Sequence, residues 1–319
     1  MARLRESKAI GKGAVRPIVP DFSRYVTVYR PERDERDWWV GGPGACLGPD
    51  GAIWIAARMR ETYSPRGHRG YEVRILRSED GVRFEAVNSI KREDIGTVSL
   101  ERSSMLIDPL TGKFKLYLCR AGRPDFADWR IIKLEDVDDP AKFDPRTAKT
   151  VLSFPEGSRR GAKDPFVINI GGVYHMYTVQ YGFRGQKELL FHSVSEDGEE
   201  FRNAPDEPCM RHEGWHDHYV RPSCLMPMGG VYVMYYEGSS KQWHDPVYNI
   251  ALGLAVSTDL VHFVDVTPEE PLAKSPTPAG GYHTLRYMDY VCLEDRVLFY
   301  YEARNSDETN ELRMTEVAL

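Results

Sequence analysis

A turn followed by an aromatic run occurs five times in this chain, and its spacing limits what the chain can fold into. The copies are Gly51-Ala52-Ile53-Trp54-Ile55, Gly112-Lys113-Phe114-Lys115-Leu116-Tyr117, Gly172-Val173-Tyr174-His175-Met176-Tyr177, Gly230-Val231-Tyr232-Val233-Met234-Tyr235 and Asp295-Arg296-Val297-Leu298-Phe299-Tyr300. By subtraction of first positions, the steps are 61, 60, 58 and 65 residues. The third copy is the fullest: Lys163-Asp164-Pro165-Phe166-Val167-Ile168-Asn169-Ile170 precedes Gly171-Gly172 and the aromatic run. It reads as two strands about a tight turn. β-Branched and aromatic side chains suit a pleated surface, and paired glycines accept the positive φ of a hairpin.

A second motif runs in phase with the first. Ser78-Glu79-Asp80-Gly81 with Phe84, Ser195-Glu196-Asp197-Gly198 with Phe201, and Ser257-Thr258-Asp259 with Phe263 each follow a strand. The second repeat carries only a decayed copy, between Leu134 and Phe143. Five copies of roughly 60 residues, each long enough for about four strands, predict radial repetition of a four-stranded sheet. The expected fold is therefore all-β, a five-bladed β-propeller of four-stranded antiparallel blades. Only three strands follow Arg286, so the strand Arg24–Tyr29 is expected to complete the last blade and remove an open edge. Residues 1–319 read as one propeller domain, with 1–20 as an N-terminal arm.

Length alone would permit two domains in 319 residues, but a repeat architecture builds one continuous core. A net charge of −6 without a Lys/Arg-rich run argues against nucleic-acid binding. No apolar run approaches the ~18 residues that would suggest a membrane span. Met1–Val15 is charged and lacks an apolar core, so no secretory signal is expected and a cytoplasmic location follows. The five cysteines are scattered and form no Cys-x-x-Cys, which fits reduced thiols rather than zinc or redox chemistry. No carboxylate cluster has the spacing of a calcium loop, so no metal or other cofactor is expected.

In such a fold, strand entrances and exits from every blade gather at one face, where side chains converge on a small ligand. Glu101, Asp164, Asp217, Glu237 and Glu302 fall there by phase. Carboxyl groups roughly 5–10 Å apart are the machinery of glycoside cleavage, one protonating the leaving oxygen and one acting as base or nucleophile. Arg102, Lys163, Arg221 and Arg286 stand at four of the five entrances, a ring suited to an anion. His216, His218 and His283 cluster by phase at the rim, with Asp217 placed to orient an imidazole and Tyr219 beside them. Trp38 and Trp39 are candidate sugar platforms, and packing is the competing role for both. Neighbouring charges at turn ends also pair with one another and stay idle, which is the plainer reading of any one of these residues.

Asp164-Pro165-Phe166 followed by Gly172-Val173-Tyr174-His175-Met176-Tyr177 resembles the strand-turn-strand unit of the five-bladed propeller glycosidases. That group includes the arabinanases and β-xylosidases of glycoside hydrolase family forty-three, the invertases, the anhydrogalactosidases and the mannoside phosphorylases. The Ser-x-Asp-Gly-x-x-Phe motifs are similar to theirs as well. The resemblance implies that Asp164 is the aspartate that tunes and orients the catalytic pair. Where the family's general base would stand, this chain has Gly41-Gly42-Pro43. Where its acid would stand, it has His218-Tyr219-Val220-Arg221-Pro222. The anhydrogalactosidases are similar in using a histidine acid in the fourth blade, which points to His216 or His218. In the phosphorylases the Asp-Pro aspartate is the acid, and phosphate held by basic side chains attacks.

The expectation is an intracellular glycoside hydrolase, exo-acting and, by resemblance, inverting, on a short oligosaccharide, either neutral or anionic through a uronate or sulfate. Asp164, Glu101, His218, Asp217 and Glu237 would carry the chemistry. A phosphorylase on the same scaffold is one alternative and would require phosphate for turnover. A non-catalytic carbohydrate-binding propeller is the other.

Overall fold

The computed structural model describes residues 17–61, 69–152, 154, 159–182, 188–276 and 283–319. Most of the N-terminal arm therefore lies outside the described residues. Within them the regular structure is β-strand, apart from one turn of α-helix and three short 3-10 turns. After β1 (Val26–Tyr29) come β2 (Trp38–Leu47), β3 (Ile53–Glu61), β4 (Arg69–Ser78) and β5 (Glu85–Lys91). A second set is β6 (Ser99–Ile107), β7 (Phe114–Ala121), β8 (Trp129–Lys133) and β9 (Lys149–Leu152). A third is β10 (Gly161–Ile170), β11 (Val173–Tyr181), β12 (Leu189–Ser195) and β13 (Arg202–Pro208). The fourth is β14 (Tyr219–Met228), β15 (Val231–Ser239), β16 (Ala251–Ser257) and β17 (Val264–Asp265). The last is β18 (Leu285–Cys292), β19 (Arg296–Arg304) and β20 (Asn310–Ala318).

Each set is an antiparallel meander in sequence order, and β1 pairs antiparallel with β20 to supply the fourth strand of the last. Between the first and last sets the described strand pairing is one parallel bridge, Trp39 to Asn310. First strands also pack against first strands in a cycle: β2 on β6, β6 on β10, β10 on β14, β14 on β18, and β18 back on β2.

All five first strands carry a register irregularity at one place, between Gly41 and Gly44, Leu100 and Ser103, Lys163 and Phe166, Pro222 and Cys224, and Arg286 and Asp289. Each inserts one extra residue, a bulge that bends the strand and re-aims side chains. Counted back from the residue after the bulge, the equivalent positions are Gly42, Glu101, Asp164, Pro222 and Tyr287. Three of these have positive φ: Gly42 at 57°, Asp164 at 56° and Tyr287 at 54°. Aspartate tolerates that region better than most residues, and tyrosine poorly.

The two repeated motifs meet between sheets. In the Ser-x-Asp-Gly turns, the Ser78 and Ser195 hydroxyls accept from the Gly81 and Gly198 N–H at 2.9 and 3.0 Å, and Ser257 accepts likewise from Leu260 at 3.0 Å. Asp80, Asp197 and Asp259 then accept from the next N–H groups. The carbonyl at the left-handed position faces the neighbouring sheet, where a tyrosine from an aromatic run donates to it. Tyr300 reaches Gly81 at 2.9 Å, Tyr117 reaches Gly198 at 2.9 Å, and Tyr177 reaches Leu260 at 2.8 Å. Tyr235, the fourth of these tyrosines, donates to the carbonyl of Ile18 in the N-terminal segment.

Between the first strands the interior is polar. Arg102, fully buried, donates to the carbonyl oxygens of Pro222 (2.6 Å), Ser223 and Met288 (3.4 Å). Glu237 on β15 is fully buried and accepts from the Tyr287 N–H. Burial pushes its carboxyl up to about 7 against the opposing pull of Arg102 and Arg221. Asp289 accepts from the Ala45 N–H at 2.9 Å and is pushed up to about 6, again by burial.

Two predictions follow from this packing. Tyr177→Phe removes a donor from a buried carbonyl and should lower stability by about 1–2 kcal/mol with an unchanged m-value in urea. For Glu237, the folded carboxyl binds its proton more tightly than the unfolded one. Its contribution is therefore complete below pH ~4.5 and is lost as pH rises through about 7, on the order of 3 kcal/mol. Melting temperature should fall between pH 5 and 8, and Glu237→Gln, which keeps the acceptor for Tyr287, should flatten that slope.

Candidate active site

Beside the bulges, at the end where the first strands enter, lies a cavity of about 240 Å³. It is lined by Arg60, Arg69, Glu101, Phe126, Trp129, Lys163, Asp164, Glu188, Arg221, Val247, Tyr248, Arg286 and Tyr287. Two of its carboxylates, Glu101 and Asp164, occupy equivalent bulge positions on neighbouring first strands. The bulge explains why a strand that alternates inward and outward elsewhere presents them here. A recess of about 300 Å³ at the other end of the first strands is lined mainly by apolar groups such as Met105, Phe166 and Val291, and gathers no comparable charge.

Glu101 is held by arginines from the adjoining sheet. Arg58, fully buried on β3, donates one Nη to Glu101 Oε2 and the other to Glu302 Oε2 at 2.7 Å. Arg60 Nη1 stands 3.9 Å from Glu101 Oε1. Burial would raise the Glu101 carboxyl, but Arg58, Arg60, Arg69 and Arg286 outweigh it and bring it down to about 2. Glu101 Oε1 and Asp164 Oδ1 are buried and accept no hydrogen bond from the described residues. Unsatisfied buried carboxylate oxygens are costly, and active sites are where such atoms recur. Arg221 Nη1 lies 4.0 Å from Asp164 Oδ2.

The remaining wall is a second ion-pair group. Lys163 Nζ donates to Glu188 Oε1 at 2.5 Å, and Arg221 Nη2 donates to Glu188 Oε2 at 2.9 Å. Burial opposes the charge on Glu188, and Arg221 and Lys163 more than offset it, holding that carboxyl well below its usual range. The Arg221 guanidinium lies 4.2 Å from the Tyr219 ring, whose hydroxyl is anchored on the Val247 carbonyl at 2.6 Å. Trp39 plays the same supporting part below Arg60, 4.2 Å from its guanidinium.

Several residues expected at this face are elsewhere. Arg102 is deep between the first strands, spanning to backbone carbonyls, and is not an entrance cation. Glu302 is fully buried beneath the cavity, with both oxygens taken by Arg58, Arg286 (2.8 and 2.9 Å) and Asn310 (2.7 Å). Glu237 lies under Tyr287. The histidine cluster does not assemble. His216 is fully buried between Trp215 and Tyr236, its Nε2 on Asp265 at 2.9 Å. Asp217 accepts from the Lys241 N–H at 2.9 Å and so caps a turn rather than orienting an imidazole. His218, half-buried, packs on Tyr219 and does not line the cavity. His283 lines a separate pocket with Trp243, His244 and Lys274. Trp38 is buried with its edge on Tyr71, and Trp39 is buried under arginines, so neither offers a face to this cavity.

Arg60, Arg69, Glu188, Tyr248 and Tyr287 were not anticipated as site residues. Arg58-Met59-Arg60 at the exit of β3 carried one available signal, two arginines on one face of a strand. Glu188 and Tyr248 come from turns just before third strands, where no periodicity marks them.

No family model matches the chain, and no curated protein matches it in sequence. In three dimensions it is similar to a solved glycoside hydrolase, with a TM-score of 0.70, 13% identity and 91% of each chain covered. It is also similar to a β-1,2-mannobiose phosphorylase from Listeria innocua solved with β-1,2-mannobiose (TM-score 0.66, 12% identity, covering 91% of this chain and 94% of that one). An α-L-arabinofuranosidase from Lactobacillus brevis gives a TM-score of 0.66 at 13% identity, covering 90% and 92%. At such identities the likeness is one of fold, and it agrees with the resemblance carried by the Asp164-Pro165 unit.

Proposed function

We propose that this chain is a five-bladed propeller enzyme that cleaves a terminal, anionic sugar from a short oligosaccharide by hydrolysis. The cycle of first-strand contacts and the five four-stranded sets support the propeller, and residues 1–319 then form one domain. The observation that carries the function is the pairing of Glu101 with Asp164 at neighbouring bulges, each with a buried oxygen that accepts no hydrogen bond from the described residues, inside a cavity lined by Arg60, Arg69, Lys163, Arg221 and Arg286.

Glu101, ionised across the physiological range, suits the base that draws a proton from water. Asp164 orients water and sugar beside it. The cations outnumber the carboxylates of the cavity, five against Glu101, Asp164 and Glu188, and so favour a substrate with its own negative charge, a uronate or sulfate. The small volume favours release of a single unit from a chain end. The same cations favour a second reading, in which inorganic phosphate sits among them and replaces water as the nucleophile.

The test is product release from a panel of neutral, uronate-bearing and sulfated oligosaccharides, with and without phosphate. A monosaccharide should appear from an anionic substrate without phosphate. Glu101→Gln and Asp164→Asn should each lower kcat by about 100-fold or more. Release that requires phosphate selects the phosphorylase instead, and binding with no turnover from any substrate removes both.

A further inference from the structure

With none of the described histidines lining the cavity and Glu101 held as a carboxylate, hydrolysis still requires a donor for the leaving oxygen. We infer that Tyr248 is that donor, the general acid of the cavity, set opposite Glu101 across the Arg60 guanidinium. This rests on the hydrolase reading above and adds a residue that neither the motifs nor the resemblance assigns.

The geometry begins with a turn. Asp245, at a φ of 48°, accepts from the N–H of Tyr248 at 3.0 Å and of Asn249 at 2.9 Å, so the chain doubles back just before β16. Thr284 Oγ1 donates to the Tyr248 carbonyl at 2.8 Å, and the His283 N–H donates to Asn249 Oδ1 at 2.9 Å, tying the turn to the fifth sheet. Tyr248 is thereby fixed at the cavity wall with its ring edge-on to Trp39, centroids 5.5 Å apart. Arg60 Nη2 donates to the phenol oxygen at 3.1 Å, while Nη1 of the same guanidinium faces Glu101 Oε1 at 3.9 Å. One planar fork therefore sets the spacing of both groups.

The surroundings suit proton donation. Among the groups facing the phenol are cations from two sheets, Arg60 on β3 and Arg69 on β4 of the first and Arg286 on β18 of the last, with Glu101 on β6 beyond Arg60. Burial would raise the phenol, yet Arg60, Arg286 and Arg69 hold it below its ordinary value. Tyr287, the other phenol of the cavity, is pushed up by burial. In the step, the glycosidic C–O bond breaks as the Tyr248 O–H proton passes to the departing oxygen. Water adds to the sugar carbon and gives its proton to Glu101. The Glu101 proton then returns through solvent to the Tyr248 phenolate, so one water is consumed and both groups are restored.

The experiment compares the whole protein with Tyr248→Phe, which keeps the ring and deletes the hydroxyl. Ultraviolet difference titration without substrate should show a tyrosine ionising below its ordinary value in the wild type that is missing from the variant. On a substrate with a sugar leaving group, kcat should fall about 100-fold or more with little change in KM. On a dinitrophenyl glycoside of the same sugar, whose leaving group needs no proton, the loss should stay within about 10-fold. Equal losses on both substrates, or full activity of the variant on the sugar leaving group, overturns the assignment while leaving the hydrolase reading intact. Wild-type protein that releases nothing overturns that reading, and the acid role with it.

Discussion

The contact on which the sheet-to-sheet packing depends is a tyrosine hydroxyl donating to a turn carbonyl. Strand ladders satisfy the backbone within a sheet, but nothing in a ladder fixes one sheet against the next. The two repeated motifs do this together. A Ser-x-Asp-Gly turn exposes one carbonyl at its left-handed residue, and the aromatic run of the preceding sheet delivers a phenol to it. Glycine at 81 and 198 serves twice, since it accepts positive φ and leaves room for the hydroxyl, which a Cβ would meet at 2.9 and 2.7 Å. The exceptions fit the same rule. Where the second repeat has lost its turn motif, the first repeat has Ala56 in place of the tyrosine. Where the last sheet has no such turn, Tyr235 finds the Ile18 carbonyl of the N-terminal segment.

That explains why so much of the fold was legible. Motifs that hold neighbouring repeats together must recur at the repeat length, so spacing alone exposed the all-β class and the four-stranded antiparallel sets. The N-terminal strand was legible as the fourth member of a sheet that otherwise had three. The outermost strands β5, β13 and β17 were not marked individually. Their residues are mostly exposed or half-buried, and a strand with one wet edge and two wet faces has no alternation to read.

The site was legible only in part, for a different reason. Phase along the chain says which end of a strand a residue occupies, and it placed Glu101, Asp164, Lys163, Arg221 and Arg286 at the cavity. It cannot give depth. Arg102 and Glu101 are adjacent in sequence, and the bulge sends one to the cavity and the other down to the Pro222 and Ser223 carbonyls. Glu302 had the right phase, but two buried arginines and an asparagine use all of its acceptor capacity. Local chemistry keeps the expected histidine cluster from assembling: Asp217 caps the Ser240-Lys241 turn, and Asp265 from β17 holds His216.

Depth also sorts the carboxyl groups by what each can do. Glu101 and Glu237 are both buried, yet one is brought down to about 2 and the other pushed up to about 7. The difference is the partner. Glu101 meets two guanidinium groups of the neighbouring β3 at close range, so its charge is compensated where it sits. Glu237 meets one backbone N–H, while Arg102 spends its donors on carbonyls and Arg221 spends its own on Glu188. Proton affinity thus follows from where each arginine directs its N–H groups. Arg221 opposes the burial that raises Glu237, so an incoming anion that drew Arg221 away would leave the Glu237 carboxyl still more tightly protonated, which makes substrate charge part of the acid–base setting of this region.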